Sequence, residues 1–314
     1  MKKNKCISLL LSCCLAWLAT ASAKESTPAE KRQQLVSNVD TSLEGAQKYV
    51  LRVKGMPFYM TNIQVRLDLL RYSEGWDMEL CDKLMAQIAA DGFNTVSVPV
   101  HWYEVEPEKG KFDWTVLDSY LELVKKHGLK MEMLWFGANS GGHVQWLGRP
   151  GKNAVHLRTP DYVLYSSSPS SKETTSEFTI RRDMSDYTLD IADDRLRERE
   201  TYVLGKVMEH IAVWDMANGK QHPIIGVQIN NEFVGQRMAF PNSLAISYLN
   251  SVAGAVKQSD YVVWTRANCV FWNVNGRIYE NEAHRRSPEQ TNLDFVGIDT
   301  YRHHFPSDAS FIAS

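Results

Sequence analysis

The sequence predicts an α/β protein folded as a (β/α)8 barrel, and three observations support this fold class. Short apolar runs rich in β-branched residues alternate with segments whose apolar residues recur at helical spacing. The runs stay apolar instead of alternating with polar residues, as parallel strands covered on both faces do. No GxGxxG or GxxxxGK(S/T) motif follows the first run, which makes a doubly wound nucleotide-binding sheet, the alternative, less favoured.

Six of the apolar runs are predicted barrel strands. They cover residues 57–65, 95–100, 130–136, 223–229, 261–265 and 293–299. The second run, TVSVPV, shows the signal most clearly, because it is short, β-branched and uncharged. A long polar loop insertion at about 138–190 follows the third strand.

Amphipathic segments between these strands are predicted helices. They cover residues 77–91, 114–127, 194–218 and 242–258. In the first of them, Cys81, Met85 and Ile88 share one face, and Gly92 follows as a stop signal. Such stripes would cover the outer face of the barrel.

The composition is that of a globular protein. Of 314 residues, 44% are hydrophobic, and 35 Lys and Arg stand against 37 Asp and Glu, which excludes a disordered chain. With a pI near 6.5 and no Lys/Arg stripe, we expect no nucleic-acid partner. After residue 23, no run approaches the roughly 18 apolar residues of a membrane span.

The N-terminus has the pattern of an export signal. A basic segment, Met1 to Lys5, precedes an apolar run at 7–18 and the small-x-small site at 21–23. We therefore predict a signal peptide at 1–23 and a periplasmic or extracellular product. A lipoprotein cleaved before Cys13 is the alternative, although it would leave a very short apolar run. Beyond the signal, the predicted order is a polar arm or linker at 24–46 and the barrel at 47–314.

Polar and aromatic residues follow several predicted strands, where barrels of this type place their chemistry. Glu232 follows the fourth predicted strand, beside the amides of Asn230 and Asn231. A partly desolvated carboxylic acid in such a place can keep a proton at neutral pH and donate it. The alternative for Glu232 is a solvated glutamate that caps the next helix. The tryptophans and the tyrosine could stack on sugar rings or fill the barrel mouth. The candidates, in strand order, are Trp102, Glu106, Trp135, Asn139, Asn231, Glu232 and Tyr301.

No metal site is predicted. His303 and His304 are adjacent, so they do not face one ion, and no third ligand is near in sequence.

Residues 222–235, HPIIGVQINNEFVG, resemble the fourth-strand motif of β-galactosidases of glycoside hydrolase families 35 and 42, P-I-I-x-V-Q-x-(E/D)-N-E-(Y/F)-x-G. GMPF at 55–58 and GFNTV at 92–96 are similar to the family segments before the first two strands, and residues 102–113 to W-x-x-x-E-P-x-x-G-x-F-D. LWFG at 134–137 is similar to a family 35 subgroup that acts on plant-type polysaccharide side chains. The resemblance covers about residues 55–305 and places family 35 first.

The resemblance implies a retaining glycosidase that hydrolyses terminal β-galactosyl or related β-glycosyl residues of oligo- or polysaccharides and needs no cofactor. Glu232 would be the acid/base, and Asn231 would bind the 2-hydroxyl of the sugar. The nucleophile would be a second glutamate at the end of the seventh strand, roughly 5–5.5 Å from the first.

This sequence departs from the family pattern at the nucleophile, which is not found. Six strands account for the chain down to Tyr301, and no glutamate follows; Glu280 and Glu282 are the nearest substitutes, but they precede the sixth strand. We therefore expect about six of the eight β/α units. A fragment of a longer glycosidase, a natural truncation and a barrel completed by another chain remain open. The alternative function is a non-catalytic carbohydrate-binding barrel.

Two further departures concern the substrate. Pro99 stands where family 35 has a tyrosine that helps to hold galactose, and Asn230 replaces the usual acidic residue before Asn-Glu. The sequence therefore predicts the chemistry more closely than the sugar.

Overall fold

A computed structural model describes residues 34–43, 49–138, 146–147, 155–156, 160–164, 180–183, 186–189, 191–231, 242–270 and 291–299. The strands are β1 Gln34–Leu35, β2 Ser37–Asp40, β3 Val50–Val53, β4 Met56–Pro57, β5 Asn62–Gln64, β6 Thr95–His101, β7 Lys130–Phe136, β8 Trp146–Leu147, β9 Val155–His156, β10 Ile180–Asp183, β11 Asp186–Leu189, β12 Ile224–Ile229, β13 Tyr261–Val262, β14 Trp264–Val270 and β15 Phe295–Asp299. The helices are α1 Leu67–Tyr72, α2 Met78–Ala90, α3 Trp102–Val105, α4 Thr115–Lys126, α5 Asp161–Leu164, α6 Asp194–Ala217 and α7 Asn242–Lys257.

Among the described residues, the main sheet has six strands in the order β5-β6-β7-β12-β14-β15, and every neighbouring pair is parallel. The spatial order is the chain order. A doubly wound sheet would reverse its order at a switch point, and this sheet does not. The predicted incomplete (β/α)8 barrel is therefore confirmed.

The hydrophobic core lies between one face of this sheet and the helices. Val98 of β6, Met133 of β7 and Val227 of β12 are fully buried there, together with Leu121 of α4 and Val207 of α6. Burial of each such side chain contributes roughly 2 kcal/mol. Successive residues of a strand face opposite ways. The residues next to Val98, Met133 and Val227 in each strand therefore face the barrel interior.

Local signals set the helix ends close to their predicted positions. The Asp77 side chain caps α2 by accepting a hydrogen bond from the amide of Leu80 at 2.9 Å, and the Asp193 side chain caps α6 in the same way. Such a cap is worth about 1 kcal/mol. Gly92 and Gly128 follow α2 and α4 with positive φ values of 89° and 65°, and the helix end predicted from Gly92 lies at that position. In the described ranges, none of the helices is long and apolar enough to cross a membrane.

Two of the barrel strands differ the most from their predicted ranges. The first is the three-residue β5, in which Asn62 and Ile63 are partly buried and Gln64 is exposed, instead of a buried strand at 57–65. The fifth is β14, whereas Tyr261–Val262 forms a separate strand paired with Gln34–Leu35. Residues 34–40, assigned to a polar arm or linker, thus form strands, because backbone pairing does not require apolar side chains. Ser37 is part of this arrangement, since its hydroxyl bonds to the carbonyl of Ile225 and the amide of Trp264.

Candidate active site

The interior face of the sheet is curled, so that side chains from strands that are not neighbours meet. Arg266 of β14 donates to the carboxylate of Glu132 on β7, past the intervening β12. Gly226 makes this curl feasible, because a Cβ atom there would collide with the ring of Trp264. The interior is thus lined by these polar side chains, and the helices pack on the other face.

Glu132 lies in the middle of this interior face and is fully engaged. Arg266 donates from Nε and, at 3.1 Å, from Nη2, and the Ser97 hydroxyl donates at 2.5 Å. Asn62 Nδ2 in turn donates a hydrogen bond to the Ser97 hydroxyl at 2.7 Å. A buried carboxylate paired with a guanidinium in this way is a structural ion pair, so we assign it no chemistry.

Asn231 follows β12 at the carboxyl edge of the sheet. Gln228 Nε2 donates to the carbonyl of Asn230 at 2.9 Å, which fixes the orientation of the Gln228 amide. The same nitrogen lies 3.2 Å from Asn231 Oδ1, and Asn268 Nδ2 donates to that oxygen at 3.0 Å. With Oδ1 occupied twice, the Nδ2 group of this half-buried residue is a fixed donor that has no hydrogen-bond partner among the described residues.

The backbone at Asn230 decides which way Asn231 faces. Gln228 faces the interior, so in a regular strand residue 230 would face it too and residue 231 would face the helices. Asn230 instead has a left-handed φ of 57°, a conformation that asparagine tolerates better than most residues. Its side chain is directed to the helical layer, where it contacts Glu200 at 3.0 Å. Asn231 is therefore directed to the interior, next to Gln228 and Asn268.

Glu200 of α6 is completely buried against these strand ends. It accepts hydrogen bonds from Trp135 Nε1 at 2.9 Å, Asn230 Nδ2 at 3.0 Å, the Ala138 amide at 3.2 Å and the Tyr248 hydroxyl at 2.5 Å. None of these four donors carries a positive charge. Burial raises the pKa of Glu200 above its ordinary value, and the four hydrogen bonds offset only part of this rise.

A second buried cluster lies at the end of β6. His101 Nε2 lies 2.9 Å from Asp68, which also accepts from Arg66 at 2.8 and 2.7 Å. Burial alone would raise the pKa of Asp68, but the hydrogen bonds and charges of His101 and Arg66 outweigh it and hold this pKa well below its ordinary value. The His101 ring packs edge-on against Phe136, and its Nδ1 has no hydrogen-bond partner in the described structure.

Trp102 and Glu106 are both buried and bonded to each other. Trp102 Nε1 donates to Glu106 at 3.0 Å, and the same carboxylate accepts from Tyr162, Gly110 and Arg199. Glu106 thus ties α3 to α5 and α6. Both side chains have their polar atoms engaged within the protein, so their contact with a substrate stays a prediction.

Trp135 lies on the helix-facing side of β7, fully buried beside Glu200. The sequence located it correctly at a strand end, but it could not give the face, and a substrate contact from this side stays a prediction. Glu232, Asn139, Tyr301, Glu280 and Glu282 lie outside the described residues. Among the residues that the structure describes, no group of three or more His, Cys, Asp or Glu side chains could hold a metal ion.

The sequence analysis missed Glu200, although the chain carries a signal for it. Along α6, Leu196, Val203, Val207 and Ile211 form the buried stripe, and Glu200 occupies a position of that stripe. An acidic residue at an apolar position of an amphipathic helix indicates a buried carboxylate with dedicated donors.

Comparison with known proteins points to glycosidases. Residues 71–153 match the sequence model of β-galactosidases of glycoside hydrolase family 42. The resemblance had placed family 35 first, and the family matched is 42 instead. β-Galactosidase Bga of Halorubrum lacusprofundi is 24% identical over 161 residues, which are 49% of this chain and 20% of that protein.

Two solved structures are similar in part. An exo-β-1,4-mannosidase from Opitutaceae bacterium strain TAV5 is 16% identical, with a TM-score of 0.49 over 79% of this chain and 39% of that one. An intracellular xylanase from Thermoanaerobacterium saccharolyticum is also 16% identical, with a TM-score of 0.49 over 77% of this chain and 64% of that one.

Proposed function

We propose that this protein is a retaining glycoside hydrolase that acts on terminal β-galactosyl or related β-glycosyl residues of oligo- or polysaccharides. The observation that carries the proposal is the fixed donor of Asn231 at the carboxyl edge of the barrel sheet. A hydroxyl group of a sugar is the kind of acceptor that such a donor suits. The match of residues 71–153 to β-galactosidases of family 42 supports the same class of substrate.

In this mechanism, Asn231 Nδ2 donates to the 2-hydroxyl of the sugar, a contact that strengthens as positive charge develops at the neighbouring carbon. Glu232, the next residue in the chain, protonates the leaving glycosidic oxygen. A second carboxylate, which we do not assign in this chain, attacks the sugar to form the covalent intermediate. Glu232 then takes a proton from water as the water displaces that carboxylate.

The role of Asn231 is tested by removing either partner of its hydrogen bond. The variant Asn231→Ala and a 2-deoxy substrate each remove the contact, so the 2-deoxy penalty on kcat/KM seen with the native protein should disappear in the variant. The contact is worth about 3 kcal/mol, or roughly 100-fold in kcat/KM. Asn38→Ala, on β2 of the separate three-stranded sheet β2-β3-β4, is the matched control and should keep the full penalty. An unchanged penalty in Asn231→Ala would remove the basis of the proposal.

The role of Glu232 is tested by leaving-group dependence. In Glu232→Ala, hydrolysis of alkyl β-galactosides should fall by about 10²–10⁴-fold. Aryl β-galactosides with good leaving groups should be spared, because they need no proton, and added azide should speed their turnover. Equal loss on both substrate types contradicts the assignment. Galactoside binding by the native chain without any hydrolysis would establish the carbohydrate-binding barrel instead.

We also propose that the protein acts outside the cytoplasm, in the periplasm or the extracellular space, because of its N-terminal pattern. N-terminal sequencing of the protein from the native cell tests this. A chain that starts at Lys24 supports export by signal peptide cleavage, a lipid-modified Cys13 supports the lipoprotein alternative, and an intact Met1 on cytoplasmic protein contradicts both.

A further inference from the structure

We propose that Glu200 is a positioning residue for the sugar-binding amide: by holding Asn230, it maintains the left-handed backbone that turns Asn231 into the barrel. This inference rests on the proposed function, because it gives Asn231 its task. Glu200 lies on α6, thirty-one positions before Asn231 in the chain. It controls the orientation of the donor that would contact the substrate.

The backbone at Asn230 reverses the alternation of side chains at the end of β12. Without the turn at Asn230, Asn231 would face the helices and its amide could not meet Asn268 on the interior side. A left-handed conformation costs a residue other than glycine about 1 kcal/mol, so it persists where contacts hold it. The contacts that hold Asn230 should therefore decide the direction of Asn231.

The Asn230 side chain is held by hydrogen bonds at both its oxygen and its nitrogen. The amide of Gly137 donates to its Oδ1 at 3.0 Å, which identifies that atom as the oxygen. Its Nδ2 then donates to Glu200 Oε1 at 3.0 Å. Gly137 is required for this arrangement, because a Cβ atom there would collide with the Glu200 carboxylate.

Glu200 is itself fixed by contacts from two other parts of the fold besides Asn230. Trp135 and Ala138 belong to β7 and the residues after it, Tyr248 belongs to α7, and Glu200 projects from α6. A side chain with four hydrogen bonds inside the core does not change rotamer freely. It is therefore a rigid support for Asn230, and not a flexible surface contact.

The pairing of an acid with an amide is the property that can be tested. An aspartate at position 230 would place a second carboxylate within about 3 Å of Glu200, and two such groups ionise together only at a large cost, so they share a proton. Tyr248 is the other titratable group that contacts Glu200. The pKa of Tyr248 is raised by burial and by the Glu200 charge. Arg197 of α6 lowers the pKa of Tyr248, and Asp193, the N-cap of α6, raises it.

The decisive variants are Asn230→Asp, Glu200→Gln and the two combined, in the full chain. In Asn230→Asp, kcat for an aryl β-galactoside should fall by about tenfold or more at neutral pH and recover as the pH is lowered, when the pair takes up its proton. In the double variant the new amide on α6 can donate to the new carboxylate after β12, so kcat should recover at neutral pH. Glu209→Gln, the same change at an exposed site of α6, should leave kcat and its pH profile unchanged.

Hydrogen exchange of the peptide 224–231 provides a second readout that needs no activity. Faster exchange in Asn230→Asp at neutral pH, restored in the double variant, supports the positioning role even if the native chain hydrolyses no glycoside, and in that case only the proposed function fails. A purely structural Glu200 would lower the melting temperature of the variants while kcat per folded molecule and its pH profile stayed native. That result, or native exchange at 224–231 in Asn230→Asp, would overturn the inference.

Discussion

Two buried carboxylates, Asp68 and Glu200, lie at the carboxyl edge of the sheet and differ in the charge of their partners. Asp68 is held by the guanidinium of Arg66 and the imidazole of His101. Glu200 is held by an indole, an amide side chain, a backbone amide and a phenol, all of them neutral. The pKa of Asp68 is lowered and that of Glu200 is raised.

The difference shows that the number of hydrogen bonds does not determine the preferred ionisation of a buried acid. Removal from water raises the pKa of both groups. At Asp68 the hydrogen bonds and charges of His101 and Arg66 outweigh this effect, whereas at Glu200 four neutral donors offset only part of it. Asp68 is thus suited to remain a fixed anion beside His101, whereas Glu200 is suited to respond to its neighbours.

The largest effect is expected from removal of the fixed anion. Asp68→Ala leaves the buried His101 nitrogen and the partly buried Arg66 without their carboxylate, which should lower the free energy of unfolding by about 3 kcal/mol. Urea denaturation at neutral pH measures it. Asp118→Ala, which removes a half-exposed partner of His210, is the control and should cost less than about 1 kcal/mol. Equal losses would mean that Asp68 behaves as a surface charge.

The next largest effect is expected from Glu200, which should make the protein less stable as the pH rises. Its folded-state pKa is raised above the ordinary 4.5, so the folded protein keeps a proton that the unfolded chain has lost. The free energy of unfolding should therefore fall as the pH rises from 4.5 into the raised range, by up to about 1.4 kcal/mol per pH unit. Denaturation series of the native chain and Glu200→Gln measure this, and the variant should lack the decline. A parallel decline in both would assign it to another group.

Asp68 should give the opposite dependence. Its folded-state pKa lies below the ordinary 3.8, so its contribution is fully present above that value and is lost as the pH falls further. The native chain should therefore converge in stability with Asp68→Asn at acid pH, and the difference should be constant above about pH 5. A difference that grows on acidification would contradict the lowered pKa.

The fold followed from the sequence because apolar periodicity is a local signal. The run at 130–136 and the helix at 194–218 needed no tertiary knowledge, and the position of Asn231 after the fourth strand followed from them. The sequence does not predict which face of the sheet a strand-end residue points to, because one residue in a left-handed conformation reverses that face. The sequence could not show that Asn230 has that conformation, or that Glu200, Trp135 and Tyr248 meet beside it, since these contacts join four elements.

The smallest effect separates the contribution of one neutral donor from that of a charge. Tyr248→Phe removes the hydroxyl that donates to Glu200 and keeps the ring, so the free energy of unfolding should fall by about 1 kcal/mol at neutral pH. With one donor fewer, the pKa of Glu200 should rise further, and the decline of stability should extend to higher pH than in the native chain. Tyr202→Phe, at a half-exposed ring on the same helix as Glu200, should change neither quantity. A Tyr248→Phe protein whose decline ended at lower pH would show that the hydroxyl accepts from a protonated Glu200 instead of donating to it, because loss of that bond would then favour the ionised form.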